Sequence, residues 1–124
     1  WFSSISQIKK VKKGEPVGYN CAETMAGDTT IAIIPVGYAD GFRRSLGMGV
    51  GGVYIDNQYC RVIGNVCMDM IMVDISHLNV AEGNTVEILG KNQSIYAFSE
   101  KMNTIPYEVL TGISSRVHRI YLED

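Results

Sequence analysis

Residues 51–64 read Gly-Gly-Val-Tyr-Ile-Asp-Asn-Gln-Tyr-Cys-Arg-Val-Ile-Gly, two apolar arms joined by Asp56-Asn57. Asp and Asn tolerate the left-handed backbone of a two-residue turn, so this stretch predicts a β-hairpin. The segments around it have the same character. Before it, Thr29–Gly37 (TTIAIIPVG) is a continuous, β-branched apolar run of strand length, stopped by Pro35 and Gly37. After it, Met68–Ser76 (MDMIMVDIS) predicts another buried strand, followed by a polar loop (SHLNVAEGN). Thr85–Gly90 (TVEILG) predicts a further strand closed by Gly90, and Ile5–Val11 (ISQIKKV) alternates well enough for one more.

One helix is predicted, where Ser94 can cap IYAFSEKMN with Ile95, Phe98 and Met102 at helical spacing. The tail Ile113–Glu123 (ISSRVHRIYLE) reads as a final strand, with His118 pointing outward from it. Many short strands and one short helix predict a mainly β domain, a compact antiparallel, Greek-key-like β-barrel whose closure removes most strand edges.

Composition narrows the function classes. The 124 residues form one domain, 46% apolar, with a formal net charge of −2, which argues against nucleic-acid binding. Lys9, Lys10, Lys12 and Lys13 read as the solvated face and end of an edge strand rather than a phosphate patch. No apolar run reaches the ~18 residues of a membrane span, and no signal peptide is expected. Cys21, Cys60 and Cys67 are odd in number and lack CxxC spacing, which predicts neither a disulfide framework nor a zinc site and fits a reducing compartment. His77 and His118 are isolated, so no metal site is expected.

Self-contained catalytic motifs are absent: no GxSxG, no HExxH, no phosphate loop. What stands out is a set of tyrosines beside turns, Tyr19 in EPVGYN and Tyr38 in IPVGYADGFRR, with Arg44 just beyond the latter. A buried tyrosine is commonly an amphipathic core residue. With an ordinary pKa near 10 it carries protons only where cationic neighbours favour the phenolate. The residues alone therefore specify a β-rich domain with a candidate tyrosine-lined site.

Four motifs taken together say more. EPVGYN, IPVGYADGFRR, VIGNVCMDMIMVDI and TIPYEVLTGISSRVHRIY occur in the order and spacing of the alanine racemase family, and the chain resembles the C-terminal β domain of those pyridoxal-phosphate enzymes over its whole length. The resemblance implies that an N-terminal α/β barrel, bearing the lysine that holds the cofactor, is absent from this chain, consistent with its abrupt start at Trp1, so that the 124 residues alone would be inactive. It implies a cytoplasmic homodimer in which this domain meets barrels of its own and a second subunit. Tyr19 matches the catalytic tyrosine that takes the α-proton of the L-enantiomer. Met68 matches the position whose backbone N–H contacts the substrate carboxylate, and Tyr107 the tyrosine that hydrogen-bonds the cofactor phosphate. Tyr38 and Arg44 match residues of the substrate corridor. Asp40 and Asp69 are expected to orient neighbours, and Cys67 to be a core residue.

The chain departs from the family pattern in several places. Gly18 stands for a serine, Asn20 for a glycine, Asn65 for an arginine and Pro106 for an asparagine, and RVHR replaces RVPR. The expected product is D-alanine for peptidoglycan. The alternatives are a serine/alanine racemase of glycopeptide resistance, whose parent has a membrane domain, and a non-catalytic dimerisation or binding module. A related barrel decarboxylase would bring a catalytic cysteine and different signatures.

Overall fold

The computed structural model describes residues 1–18 and 22–121. Its strands are β1 (Phe2–Ser4), β2 (Gln7–Val11), β3 (Pro16–Val17), β4 (Glu23–Thr24), β5 (Thr29–Ile34), β6 (Gly52–Ile55), β7 (Gln58–Ile63), β8 (Ile71–Asp74) and β9 (Thr85–Glu87). Its helices are α1 (Ile95–Lys101) and α2 (Pro106–Gly112). The β6–β7 hairpin turns on Asp56 and Asn57, with φ of 52° and 60°, and Ile55 pairs with Gln58 across it. Both central residues are left-handed, the geometry that matches the twist of the flanking strands.

Seven strands form one antiparallel sheet in the order β1-β9-β6-β7-β8-β5-β2, and β3 and β4 make a separate pair. The sheet curls because β7 is shared: its first half pairs with β6, whereas Val62 and Ile63 pair with β8. Its two outer strands, β1 and β2, are consecutive in the chain. Ile5 bonds to Asn84 and Gly83 at one border, and Ser6 donates to Ile33 O at the other (2.9 Å). The chain itself thus runs from one border of the sheet to the other, and the expected mainly β, antiparallel domain forms as a curled half-barrel. Lys9 and Lys10 are exposed on edge strand β2, as expected.

The unbroken apolar run of β5 has a clear cause: the strand is covered on both faces. Ala32 and Ile34 face the main core with Val53, Val62, Val73 and Val86. On the opposite face Ile31 and Ile63 meet Val17 and Met25 from the β3–β4 hairpin. A strand buried on one side alternates, whereas one buried on both sides does not. The β3–β4 hairpin thus rides on the outer face of the curled sheet, and residues 19–21 lie in its connection, outside the described residues.

Ser94 caps α1 as predicted, its side-chain oxygen accepting from Ala97 N at 3.1 Å. Ser94→Ala is expected to cost about 1 kcal/mol, read as a lower urea midpoint with an unchanged slope. An unchanged midpoint would show that the cap contributes nothing.

Two expectations are corrected. A second helix, α2, is present, with Pro106 at its first turn, where the missing N–H costs nothing. The tail is no strand among the described residues. Arg119 donates to the carbonyls of Ile113, Ser114 and Val117 (3.0–3.4 Å), and Val117 N donates to Ser114 O (3.1 Å). Backbone acceptors that a ladder would use are satisfied locally, so His118 is exposed on an irregular segment, not on a strand.

Candidate functional site

Two turns meet at one end of the curled sheet. The first, Gly37–Phe42, leaves β5; the second, Asn65–Met70, joins β7 to β8. They are tied backbone to backbone, Tyr38 N donating to Cys67 O and Ala39 N to Met68 O, both at 3.0 Å. Gly37 makes this approach possible. A Cβ there would overlap the carbonyl oxygens of Cys67 and Met68 and lie 2.6 Å from the Met68 carbonyl carbon.

Within the first turn Asp40 is the anchor. It is 7% exposed, and its Oδ2 accepts from Gly37 N at 2.9 Å. Its backbone N–H donates to Gly37 O (3.0 Å), and its carbonyl accepts from Ser114 N (2.9 Å). Phe42, fully buried, packs edge-to-face on Phe98 of α1 with ring centroids 5.8 Å apart. In the second turn Cys67 N donates to Met70 O at 3.0 Å. Among the described residues the Met68 N–H has no acceptor.

Between the turns lies a cleft of about 420 Å³, lined by Tyr38, Arg44, Asn65, Val66, Cys67 and Met68. Tyr38 and Met68 are about half exposed at its walls. Three of the five residues singled out from the sequence, Tyr38, Arg44 and Met68, are therefore brought together. The other recess, about 350 Å³ beside Asp56, Asn79 and Asn84, contains none of them. Tyr107 is not among the cleft-lining residues; it is the second residue of α2 and 77% exposed.

Tyr19 lies outside the described residues. Its neighbour Gly18 has φ +87°, and a Cβ there would stand 3.7 Å from the backbone N of the cleft residue Asn65. Gly18 thus occupies a left-handed position against the cleft rim. On the other flank, Glu23 accepts from Gly64 N (3.0 Å) and pairs with Arg61 (2.9 Å).

The sequence did not point to Arg116. Its Nε sits 2.7 Å from Asp40 Oδ1 and its Nη2 2.8 Å from Asp69 Oδ1, so one guanidinium joins both turns. The hydrogen bond to Asp69, and then the charge of Asp40, hold it still more firmly protonated than a free arginine. Arg116 stands in the RVHR segment of the fourth motif, but nothing in the sequence joined it to Asp40 or Asp69. Asp40 and Asp69 do orient a neighbour, as expected. Cys60 is inert in this setting, fully buried with its pKa pushed up to about 11 by burial. Among the described residues no group of three or more His, Cys, Asp or Glu side chains is placed to hold a metal ion, and no helix is long and apolar enough to cross a membrane.

The family model described as "Alanine racemase, C-terminal domain" matches residues 1–121. The chain is 42% identical over 123 residues to the alanine racemase of Limosilactobacillus reuteri (strain DSM 20016), spanning 96% of this chain and 32% of that protein. It is 41% identical over 126 residues to the alanine racemase of Geobacter sulfurreducens, covering 97% and 33%. Among solved structures, alanine racemase from Bartonella henselae with covalently bound pyridoxal phosphate superposes with a TM-score of 0.93 at 35% identity, over 98% of this chain and 34% of that one. Alanine racemase from Clostridium difficile 630 gives 0.91 at 38%, over 99% and 32%. The chain thus spans about a third of the length of the relatives it matches.

Proposed function

The chain belongs to the family of alanine racemase C-terminal domains, and from that premise we propose that it is the part of a pyridoxal-phosphate-dependent alanine racemase that lines and completes the active site. In this reading the parent is a cytoplasmic homodimer making D-alanine for peptidoglycan. Its N-terminal barrel carries the cofactor lysine, and this domain serves the site of the partner subunit. The observation that carries the reading is the convergence of the Tyr38 and Met68 turns on one cleft, tied by the Tyr38–Cys67 and Ala39–Met68 backbone bonds.

Racemisation requires a proton to leave one face of the α-carbon and another to arrive at the opposite face, so two proton carriers must flank it. Tyr19 is the carrier on the L-face. The Met68 N–H fixes the substrate carboxylate, and the Tyr38 phenol and Arg44 guanidinium form the wall past which a small amino acid travels. The described residues fit the cofactor only in part. No lysine lines the cleft, and Lys101 is held by the Tyr59 hydroxyl at 3.0 Å. What the chain offers is the exposed Tyr107 phenol as a donor to the phosphate. When bound, pyridoxal phosphate supplies the electron sink for the negative charge left on the α-carbon.

The test uses the full-length parent and its Tyr19→Phe variant, following α-proton exchange in D2O from L-alanine, D-alanine and L-serine. General bases contribute about 10²–10⁴-fold, and exchange from L-alanine is expected to fall at least ~10-fold further than exchange from D-alanine. Equal losses from both enantiomers, or none, would remove Tyr19 from the mechanism. Faster exchange from L-serine than from L-alanine would reassign the parent to the serine/alanine branch.

A further inference from the structure

Arg116 lies on the irregular tail beyond α2, 47 positions from Asp69, yet it is the one side chain among the described residues seen to ion-pair with both turns of the cleft. Its Nε–H serves the buried Asp40, and its Nη2 serves Asp69, the residue directly after Met68. A planar guanidinium can hold two carboxylates at fixed angles, which a single ammonium cannot. The Ser114 N–H bond to Asp40 O fastens the same tail to the same turn, so the arginine is delivered from a fixed base.

The bridge is not the only tie between the two turns. The two turns are already joined by the Tyr38–Cys67 and Ala39–Met68 backbone bonds. The guanidinium and the Asp69 carboxylate are both more than half exposed, a setting in which ion pairs add little stability, whereas the Asp40 carboxylate is only 10% exposed and depends on its cation. What the bridge does control is the tilt of the second turn. Asp69 is tethered from outside and Met68 O from Ala39, so the backbone on both sides of Met68 is held.

We propose that Arg116 is a positioning residue for substrate binding: by bridging Asp40 and Asp69 it presents the Met68 N–H to the carboxylate of an amino acid in the cleft. This rests on the reading of Met68 given above. It acts through other residues and touches no reacting atom, so it sets affinity for carboxylates rather than the proton-transfer step.

The experiment compares wild-type full-length enzyme with Arg116→Gln, Arg116→Lys and Asp69→Asn. KM and kcat are measured for both enantiomers of alanine, together with the inhibition constant of propionate, which has the carboxylate but no amino group. Arg116→Gln is expected to raise KM and the propionate constant together by about tenfold, the scale for weakening a hydrogen bond to a charged group, with kcat within about twofold. Asp69→Asn follows in the same direction, and Arg116→Lys recovers part of the loss. The thermal midpoint of Asp69→Asn stays close to wild type, whereas Arg116→Gln, which leaves the buried Asp40 without its cation, lowers it. A fall in kcat with KM and propionate binding unchanged, or no change in either, would overturn the assignment while leaving the Tyr19 test standing. Wild-type enzyme on which propionate does not compete with alanine would overturn the carboxylate reading of Met68 and the role of Arg116 with it.

Discussion

Gly37→Ala is expected to destabilise the domain by about 3–5 kcal/mol, combining ~1–3 kcal/mol for overpacking with roughly 1 kcal/mol for each of two backbone hydrogen bonds. The added methyl would overlap the carbonyl oxygens of Cys67 and Met68, which are backbone atoms and cannot swing aside as a flexible side chain would. Relief requires the two turns to separate, and the bonds from Tyr38 N and Ala39 N then lengthen beyond use. The cleft widens at the point where Met68 faces Tyr38, so kcat/KM of the parent is expected to fall about 100-fold, the scale for a reacting group displaced by 1 Å. Gly27→Ala is the control: no atom lies within 4 Å of its Cβ position, and a stability change under about 1 kcal/mol is expected there. Urea denaturation of the two variants decides the matter. Equal midpoints would mean that the two turns are not in backbone contact.

The second large effect is expected at Phe98. Fully buried on α1, it meets Phe42 edge-to-face at 5.8 Å and Trp1 at 6.5 Å. Phe98→Ala is expected to cost about 3–5 kcal/mol, a large share of the ~5–15 kcal/mol that holds a domain of this size. Through Phe42 the loss reaches the turn that carries Tyr38 and Asp40, so substrate affinity of the parent weakens as well. Tyr96, on the same helix but 73% exposed, provides the comparison. Tyr96→Ala is expected to stay within about 0.5 kcal/mol. Comparable losses at both positions, measured by calorimetry, would show that the α1 face is not packed as described.

The parts legible in advance share one property: their causes lie within a few residues. The Asp56-Asn57 turn needs only the tolerance of Asx residues for positive φ, and the start of α1 only a serine three positions before a free amide. The five larger predicted strand segments are all present for similar reasons. The tail failed for the opposite reason. Its apolar spacing suits a strand, but Arg119, five and six positions on, satisfies the carbonyls of its first residues, Ser114 and Ile113. The second helix was hidden because Pro106 was read as a departure from a motif rather than as a helix-starting residue.

For the site, the resemblance singled out Tyr38, Arg44 and Met68 as candidates, and the fold gathers them around one cleft. Residue types alone gave no account of how the gathering is done. The two turns approach because Gly37 has no Cβ, and they are cross-tied by an arginine distant in sequence. Tyr107 illustrates the same limit, since its motif joins it to the site while its helix leaves it off the cleft lining.

Sequence by itself determined the β-rich class, the hairpin at Asp56-Asn57, the capped helix and the family, each through short-range backbone preference or motif order. Tertiary structure alone decided that β5 is covered on both faces, that β1 and β2 become the two outer strands of the sheet, and that Arg116 reaches Asp40 and Asp69. The division follows from range. Torsional preferences and local hydrogen bonds act over a few residues, whereas burial and ion pairing depend on which distant segments the curled sheet brings within a few ångströms of each other.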